Sequence, residues 1–331
     1  MNEFLHVANG TSTTMTIEAA RIPGAVSIWA DPLHDGPVPG GLSDDELLEV
    51  RARHLSSQWS PASPGDDDNS SFDETVGGLK AWRSVIAAHD SYRELVLWYE
   101  HDLFDQLNLL QLLTWVRDPL PATKPVSLIC IDSFPGRPTF KGLGELTASE
   151  LAPLLDTREP VTEAQYALAA RAWRAFREPT PEPLDEVRRS DTSALPFLSA
   201  SLTAFLREYP STRDGLSRSE RRLLELASPG ITLNSAFLRF DEGQRAYYVT
   251  DLVLQRLADE LTTSVPALLT SSGGPSFRTR TIAITDSGRR VLAGDADRVA
   301  VCGIDRWFGG VHVHPGNLWR WDDESQRIGR A

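Results

Sequence analysis

The sequence predicts an α/β protein whose first part forms a mostly parallel, Rossmann-like sheet domain, followed by a helical region and a C-terminal α+β domain. Two observations carry the first part. Strand-length apolar runs alternate with helical periods, and those runs are apolar nearly throughout, as in strands covered on both faces. A third carries the last part: from Leu216 the pattern changes to capped helices and short β-forming runs. At 331 residues, 41% of them apolar, the chain has material for more than one packed core.

FLHVA (Phe4–Ala8) predicts the first strand; the turn NGTSTT leads to a helix through Ile17–Ala20 that stops before Pro23-Gly24. AVSIWA (Ala25–Ala30) is the second strand. After HDGPVPGG, Ser43 with Glu46 three residues on has capping-box spacing, so SDDELLEVRARHL reads as a capped amphipathic helix. Ser60–Ser71 reads as a loop and Glu74–His89 as a helix. ELVLWY then forms the third strand, Leu103–Val116 a helix and PVSLICID the fourth strand. Residues 147–210 read as helical, interrupted by the Pro-rich REPTPEPLDE, and are expected to pack beside the sheet. The expected divisions are 1–150 (α/β), 151–212 (helical), 213–298 (α+β) and a Trp/Gly-rich tail, 299–331, packing on the body.

In the third division, LSRSERRLLELA is opened by Ser217 and Glu220 at capping-box spacing. VTDLVLQRLADELT is a second helix, and TRTIAITDSGRRVLAG reads as strand, turn and short helix. Helix, helix and a ribbon closing on ITDSGRRVL resembles the winged-helix domains of bacterial regulators. That likeness covers about 80 residues and implies a winged-helix-like domain.

Charge narrows the partners. The formal net charge is −13, and residues 1–150 hold 10 Lys and Arg against 22 Asp and Glu, so this part repels phosphate backbones unless a metal or a local Arg intervenes. Residues 211–298 are near neutral, with 12 against 11, so nucleic acid is an open partner that charge does not favour. No apolar run approaches the ~20 residues of a membrane helix, and MNEFLHVANG lacks a basic region followed by an apolar block, so a soluble cytoplasmic protein is expected. Cys130 and Cys302 read as buried free thiols, too few for a zinc finger.

In an open parallel sheet, ligands bind outside the carboxyl ends of the strands. The first strand delivers Asn9, Gly10, Thr11 and Ser12 there, and the second Asp31, His34 and Asp35. The third delivers Glu100, His101, Asp102, Asp105 and Gln106, and the fourth Asp132 and Ser133. Asn9–Ser12 could cradle an anion at a helix N-terminus, although Gly10 in a tight turn with Thr11 or Ser12 as N-cap explains the same residues. His34 and Asp35 sit in a loop stiffened by Pro32, Pro37 and Pro39, which suits proton transfer, metal binding or a solvated turn. With a helix starting near Asp102, Asp105 and Gln106 share its face, and Asp102 is either a cap or a functional acid. His101 could be acid, base or metal ligand, oriented by Asp132 or Asp35. His34, His101 and Asp102 are the metal candidates. Ser133 lacks a G-x-S-x-G elbow. His312 and His314 alternate on a strand and share a face, while Trp307, Trp319 and Trp321 read as packing residues.

Together, HVANGTST, WADPLHDGPVP, WYEHDLFDQLNLLQLL and FKGLGELT resemble the bacterial family catalogued as domain of unknown function family 1835, over roughly residues 4–150. That family's opening carries Asp where this chain has Thr11. The resemblance implies a bacterial cytoplasmic protein and no particular reaction. From the residues, the expected function is an enzyme acting on a small polar metabolite, phosphorylated or nucleotide-like, by acid–base or metal-assisted hydrolysis or group transfer. His34, Asp35, His101, Asp102, Asp105 and Asp132 would be its catalytic groups; Asn9, Gly10, Thr11, Ser12, Gln106 and Ser133 would hold the ligand. A divalent metal is the open cofactor. The alternative is a ligand-responsive DNA-binding regulator with Arg218, Arg221, Arg222, Arg278 and Arg280 on phosphates. Homodimerisation through the winged-helix-like domain is open as well.

Overall fold

In the computed structural model, which describes residues 1–59, 68–274 and 276–331, the chain divides into two compact units. The first comprises 1–199 with 307–311, the second 200–306 with 312–331.

The first unit is a mixed α/β fold around a mostly parallel five-stranded sheet, in the order β2-β1-β4-β5-β6. Its strands are β1 (Asn2–Ala8), β2 (Ala25–Ile28), β4 (Tyr92–Glu100), β5 (Val126–Ile131) and β6 (Glu159–Pro160); β3 (Gly36–Pro37) pairs elsewhere, with β10 (Arg306–Gly309). The helices are α1 (Thr11–Ala19), α2 (Asp44–Trp59), α3 (Asp68–Ala87), α4 (Leu103–Trp115), α5 (Ala148–Leu151), α6 (Glu163–Phe176) and α7 (Glu182–Arg189). The central strands are apolar on both faces because both are covered: Leu95, Val96, Leu97, Trp98 and Tyr99 are all buried. Val96, Trp98 and Ile129 pack with Phe4, Ile17 and Leu143 on one face. β1 pairs in parallel with β2 on one side and β4 on the other, so the strand order reverses between β1 and β4. That reversal is the topological switch point where ligands bind in such sheets.

Some elements differ from expectation. β2 ends at Ile28, before Trp29 and Ala30. The Pro-rich stretch does not merely interrupt the helices but starts α7, with proline in its first turn, where the missing N–H costs no helical bond. β6 is a two-residue antiparallel addition, too short to carry a period. The expected loop Ser60–Ser71 lies outside the described residues as far as 67; from Asp68 the chain is already helical, since Asp, Asn and Ser suit helix starts as well as loops. Ser43 and Glu46 do make the expected reciprocal bonds before α2.

The second unit includes α9 (Arg218–Ala227), β7 (Ile231–Thr232), α10 (Leu233–Phe240), α11 (Asp251–Thr263), β8 (Leu269–Gly273), β9 (Arg280–Ile284) and α12 (Asp286–Ala293). β7, β9 and β8 form one antiparallel sheet with β9 in the middle. The Ser217–Glu220 capping box opens α9 as its spacing requires. α10 escaped the sequence reading because eight residues are barely two helical turns.

Arg51 on α2 fixes the chain that follows β2. Only 1% exposed, it grips Asp31 bidentately at 2.7 and 3.0 Å and donates to the carbonyls of Asp35 at 2.8 Å, Pro32 at 3.1 Å and Pro37 at 3.3 Å. Asn108 on α4 holds the backbone of Asp31 from the other side, at 2.9 Å to its N–H and 2.8 Å to its carbonyl. Removing the cation leaves a buried carboxylate and stranded carbonyls. Arg51→Met is therefore expected to lower unfolding free energy by about 3–5 kcal/mol in urea titrations; a loss below about 1 kcal/mol would show that this hub does not organise the loop.

Candidate functional site at the switch point

Each feature of the site follows from how β1 and β4 hand over to their helices. Gly10 adopts φ 151° and ψ 161°, a region open to glycine, and turns β1 into α1 with no side-chain cap. At β4, Asp102 is the N-cap of α4, accepting from the Asp105 amide at 2.9 Å. That places the Asp105 carboxylate, 4% exposed, back under the strand end, where it accepts from the Glu100 amide at 2.9 Å and from the Asn9 side-chain amide of β1. Glu100, the last residue of β4, accepts from the backbone amides of Leu143 and Gly144. Gly142 passes so close that a Cβ there would collide with the Glu100 carboxylate.

Glu100, Asp102 and Asp105 each present an oxygen within 4.8 Å of the others, and among the described residues they are the group of three or more side chains of metal-ligand type that come together. Burial, then the charge of Asp102, pushes Glu100 up to about 8 against the two amides that favour its charged form. Burial pushes Asp105 well above the carboxylate range too, with Glu100 and Asp102 adding to it and the Asn9 and Glu100 donors opposing it. Such a group must retain protons near neutrality or take up a cation. The Asn9 Oδ1 atom is buried and accepts no hydrogen bond from the described residues, so another acceptor beside the acids lacks a donor.

The other candidates lie as follows. His101 is 8% exposed, between the rings of Phe140 (6.4 Å between centroids) and Phe197 (6.2 Å). Gln106 donates to the Glu100 carbonyl at 2.7 Å and to Cys130 Sγ at 3.5 Å. His34 meets Phe104 edge-on at 5.7 Å, and Asp35 faces His54 at 3.5 Å. Asp132 accepts from the exposed Ser133 hydroxyl at 2.9 Å. Thr11 and Ser12 are exposed in the first turn of α1, and Gly10 occupies the N-cap position offered to either of them. Of the metal candidates, Asp102 belongs to the acidic group and His34 and His101 do not, so that group is built of oxygens alone. Glu100 is the member to which the sequence assigned no role. Asp31, whose charge is matched by Arg51, is structural.

In the second unit, four of the five arginines considered for phosphate contacts have internal partners, while Arg278 is exposed. Arg218 pairs with Glu208, Arg221 with Asp214, Arg222 with Glu242 and Arg280 with Asp259. His312 and His314 do share a face, with centroids 5.0 Å apart, and His312 pairs with Asp305. Both cysteines are free thiols, but partly rather than fully buried as their apolar settings suggested. Among the described residues, no helix is long and apolar enough to cross a membrane.

No family model matches the sequence, and no curated protein does. Among solved structures, the chain is similar to the ORC1 protein of Aeropyrum pernix in complex with DNA, at 18% identity over 89% of this chain and 86% of that one. The TM-score is 0.19, too low a likeness to bear on fold or activity.

The raised Glu100 has a thermodynamic consequence. Its folded-state value lies above that of an unfolded glutamate, so its stabilising share is complete below about pH 4.5 and is lost as pH rises through about 8. Glu100→Gln removes that loss. The variant should gain on wild type by about 1–3 kcal/mol between pH 5 and pH 9 in denaturant titrations without divalent cations. Parallel pH profiles for the two proteins would refute a buried, protonated Glu100.

Proposed function

We propose that the first unit is an enzyme that hydrolyses or transfers a group on a small polar, phosphorylated or nucleotide-like metabolite, assisted by a divalent cation at Glu100, Asp102 and Asp105. The observation that carries this reading is the meeting of three carboxylates with the donor-less Asn9 Oδ1 at the switch point. An all-oxygen set favours a hard cation of the magnesium, manganese or calcium kind, whose ligands at about 2.0–2.6 Å stand up to about 4–5 Å apart, comparable with the 4.8 Å span here. Bound there, the cation would offset the acidity that otherwise repels a phosphate and would polarise the bond to be broken. The uncapped first turn of α1, with Thr11 and Ser12, supplies amides and hydroxyls for an anion beside it. His101 is the residue proposed to move the proton, set beside Asp102 in sequence and held between two aromatic rings.

A second reading keeps one observation of its own. The order helix, strand, helix, helix, strand, strand with β9 central supports a winged helix in the second unit, and with it DNA binding or subunit pairing. The arginine–carboxylate pairs leave that surface little electrostatic attraction for a duplex, so salt-dependent duplex binding at low ionic strength would favour the regulator over the enzyme.

Cation binding tests the proposal directly. Magnesium or manganese should raise the melting temperature of wild type, and its affinity should fall by about tenfold per pH unit below pH 8 for each proton displaced. Asp102→Asn and Glu100→Gln should lose the effect, together with about 100-fold or more of any cation-dependent turnover of phosphorylated metabolites. Retained binding in both variants would sink the assignment.

A further inference from the structure

A cavity of about 340 Å³ lies along β5, walled by Leu128, Ile131, Leu195, Pro196 and Phe197, with Gln106 at its inner wall. Two of these residues join it to the candidate site. Gln106 donates to the backbone carbonyl of Glu100, and Phe197 packs edge-on against His101 with centroids 6.2 Å apart and planes at 74°. The Cys130 thiol, also in the wall, donates to that same carbonyl at 3.5 Å.

Gln106 carries the argument further. It is 2% exposed, and both of its hydrogen bonds are made by the amide nitrogen, to Glu100 and Cys130; its Oε1 accepts none from the described residues. Unlike Asn9 Oδ1, this oxygen is not closed off from solvent, so a ligand N–H or O–H entering the cavity can reach it in place of water. The rest of the wall is mostly apolar, with Thr157, Glu159 and Gln165 as its other polar members, and Phe197 adds an aromatic face. Its volume falls at the lower end of small-ligand pockets, enough for a ring system rather than a whole drug-sized molecule.

We infer that this cavity is the ring subsite of the substrate, taking an amino-substituted heteroaromatic base whose N–H donates to Gln106 Oε1, so that the substrate is a nucleoside or nucleotide rather than a phosphosugar. The inference rests on the proposed function only for the phosphate that the ring's sugar would direct toward the acidic group. The ring contacts themselves need no cation.

The test uses the full chain, with and without magnesium chloride, and calorimetric titration with adenosine, purine riboside (which lacks the amino group), adenosine monophosphate and ribose 5-phosphate. Adenosine should bind without cation, and purine riboside about tenfold or more weaker. Thr157→Trp, which fills the cavity from its exposed rim, should abolish adenosine binding while the protein keeps its wild-type melting temperature. Gln106→Met should erase the difference between the two nucleosides. Adenosine binding that survives Thr157→Trp, equal affinity for the two nucleosides, or no adenosine binding at millimolar concentration would overturn the ring subsite. Cation-dependent binding of ribose 5-phosphate alone would overturn it too and leave the proposed chemistry standing. Adenosine binding with no effect of magnesium on any ligand would sustain the subsite and count against the cation.

Discussion

The arrangement of the switch point depends on one buried carboxylate, that of Asp105. It receives the Glu100 amide at the end of β4 and the Asn9 side chain at the end of β1, so a single side chain from α4 joins the two strands where their order reverses. Asp102 sets the first turn of α4 and thereby aims Asp105. A carboxylate so placed loses its water and, among the described residues, is met by amides rather than by an arginine. The contrast with Asp31 is instructive. That residue is equally buried but is met by a bidentate guanidinium, and its environment is one of structure rather than chemistry. Two acids that follow strands of the same sheet, β2 and β4, thus serve opposite ends because of what faces them.

The consequence spreads to Glu100. Burial raises the proton affinity of both Glu100 and Asp105, and the charge of Asp102 beside them raises it further. Fold stability alone would favour fewer negative charges there, since a buried group held above its ordinary range weakens the fold as pH rises. Perturbed carboxyls gathered at the switch point are instead the arrangement expected of a reactive or cation-binding site. The amides of Leu143 and Gly144 fit this view, because donors trained on Glu100 favour its charged form and counter the burial that would neutralise it.

Much of this was legible from residues near one another in sequence. The apolar runs announced the parallel strands, Ser43 with Glu46 and Ser217 with Glu220 announced helix starts, and Asp102 was readable as a cap because Asp105 and Gln106 follow at helical spacing. What was not legible depends on distance along the chain. Glu100 acquires its role from amides about forty residues later, and Arg51 finds Asp31 across a Pro-rich loop whose course no period specifies. His34 and Asp35 look like a reactive pair in the sequence, yet the ring of Phe104 faces one and His54 faces the other. The arginines of α9 read as a basic face until Glu208, Asp214 and Glu242 are set opposite them.

Two donor-less acceptors frame the site from opposite sides. Asn9 Oδ1 lies on the β1 side, where Thr11 and Ser12 begin α1; Gln106 Oε1 lies on the β5 side, beside the apolar cavity. Both amides spend their nitrogens on the machinery of β4, Asn9 on Asp105 and Gln106 on the Glu100 carbonyl, which fixes their planes and turns each oxygen away from those bonds. Asn9 Oδ1 is buried and unmet, which is rare in a native fold, while Gln106 Oε1 stays open to solvent beside the cavity. One ligand reaching across the acidic group would meet both, polar and cation-linked toward α1 and flat and apolar toward β5. The same strand end would then hold the reacting group between them.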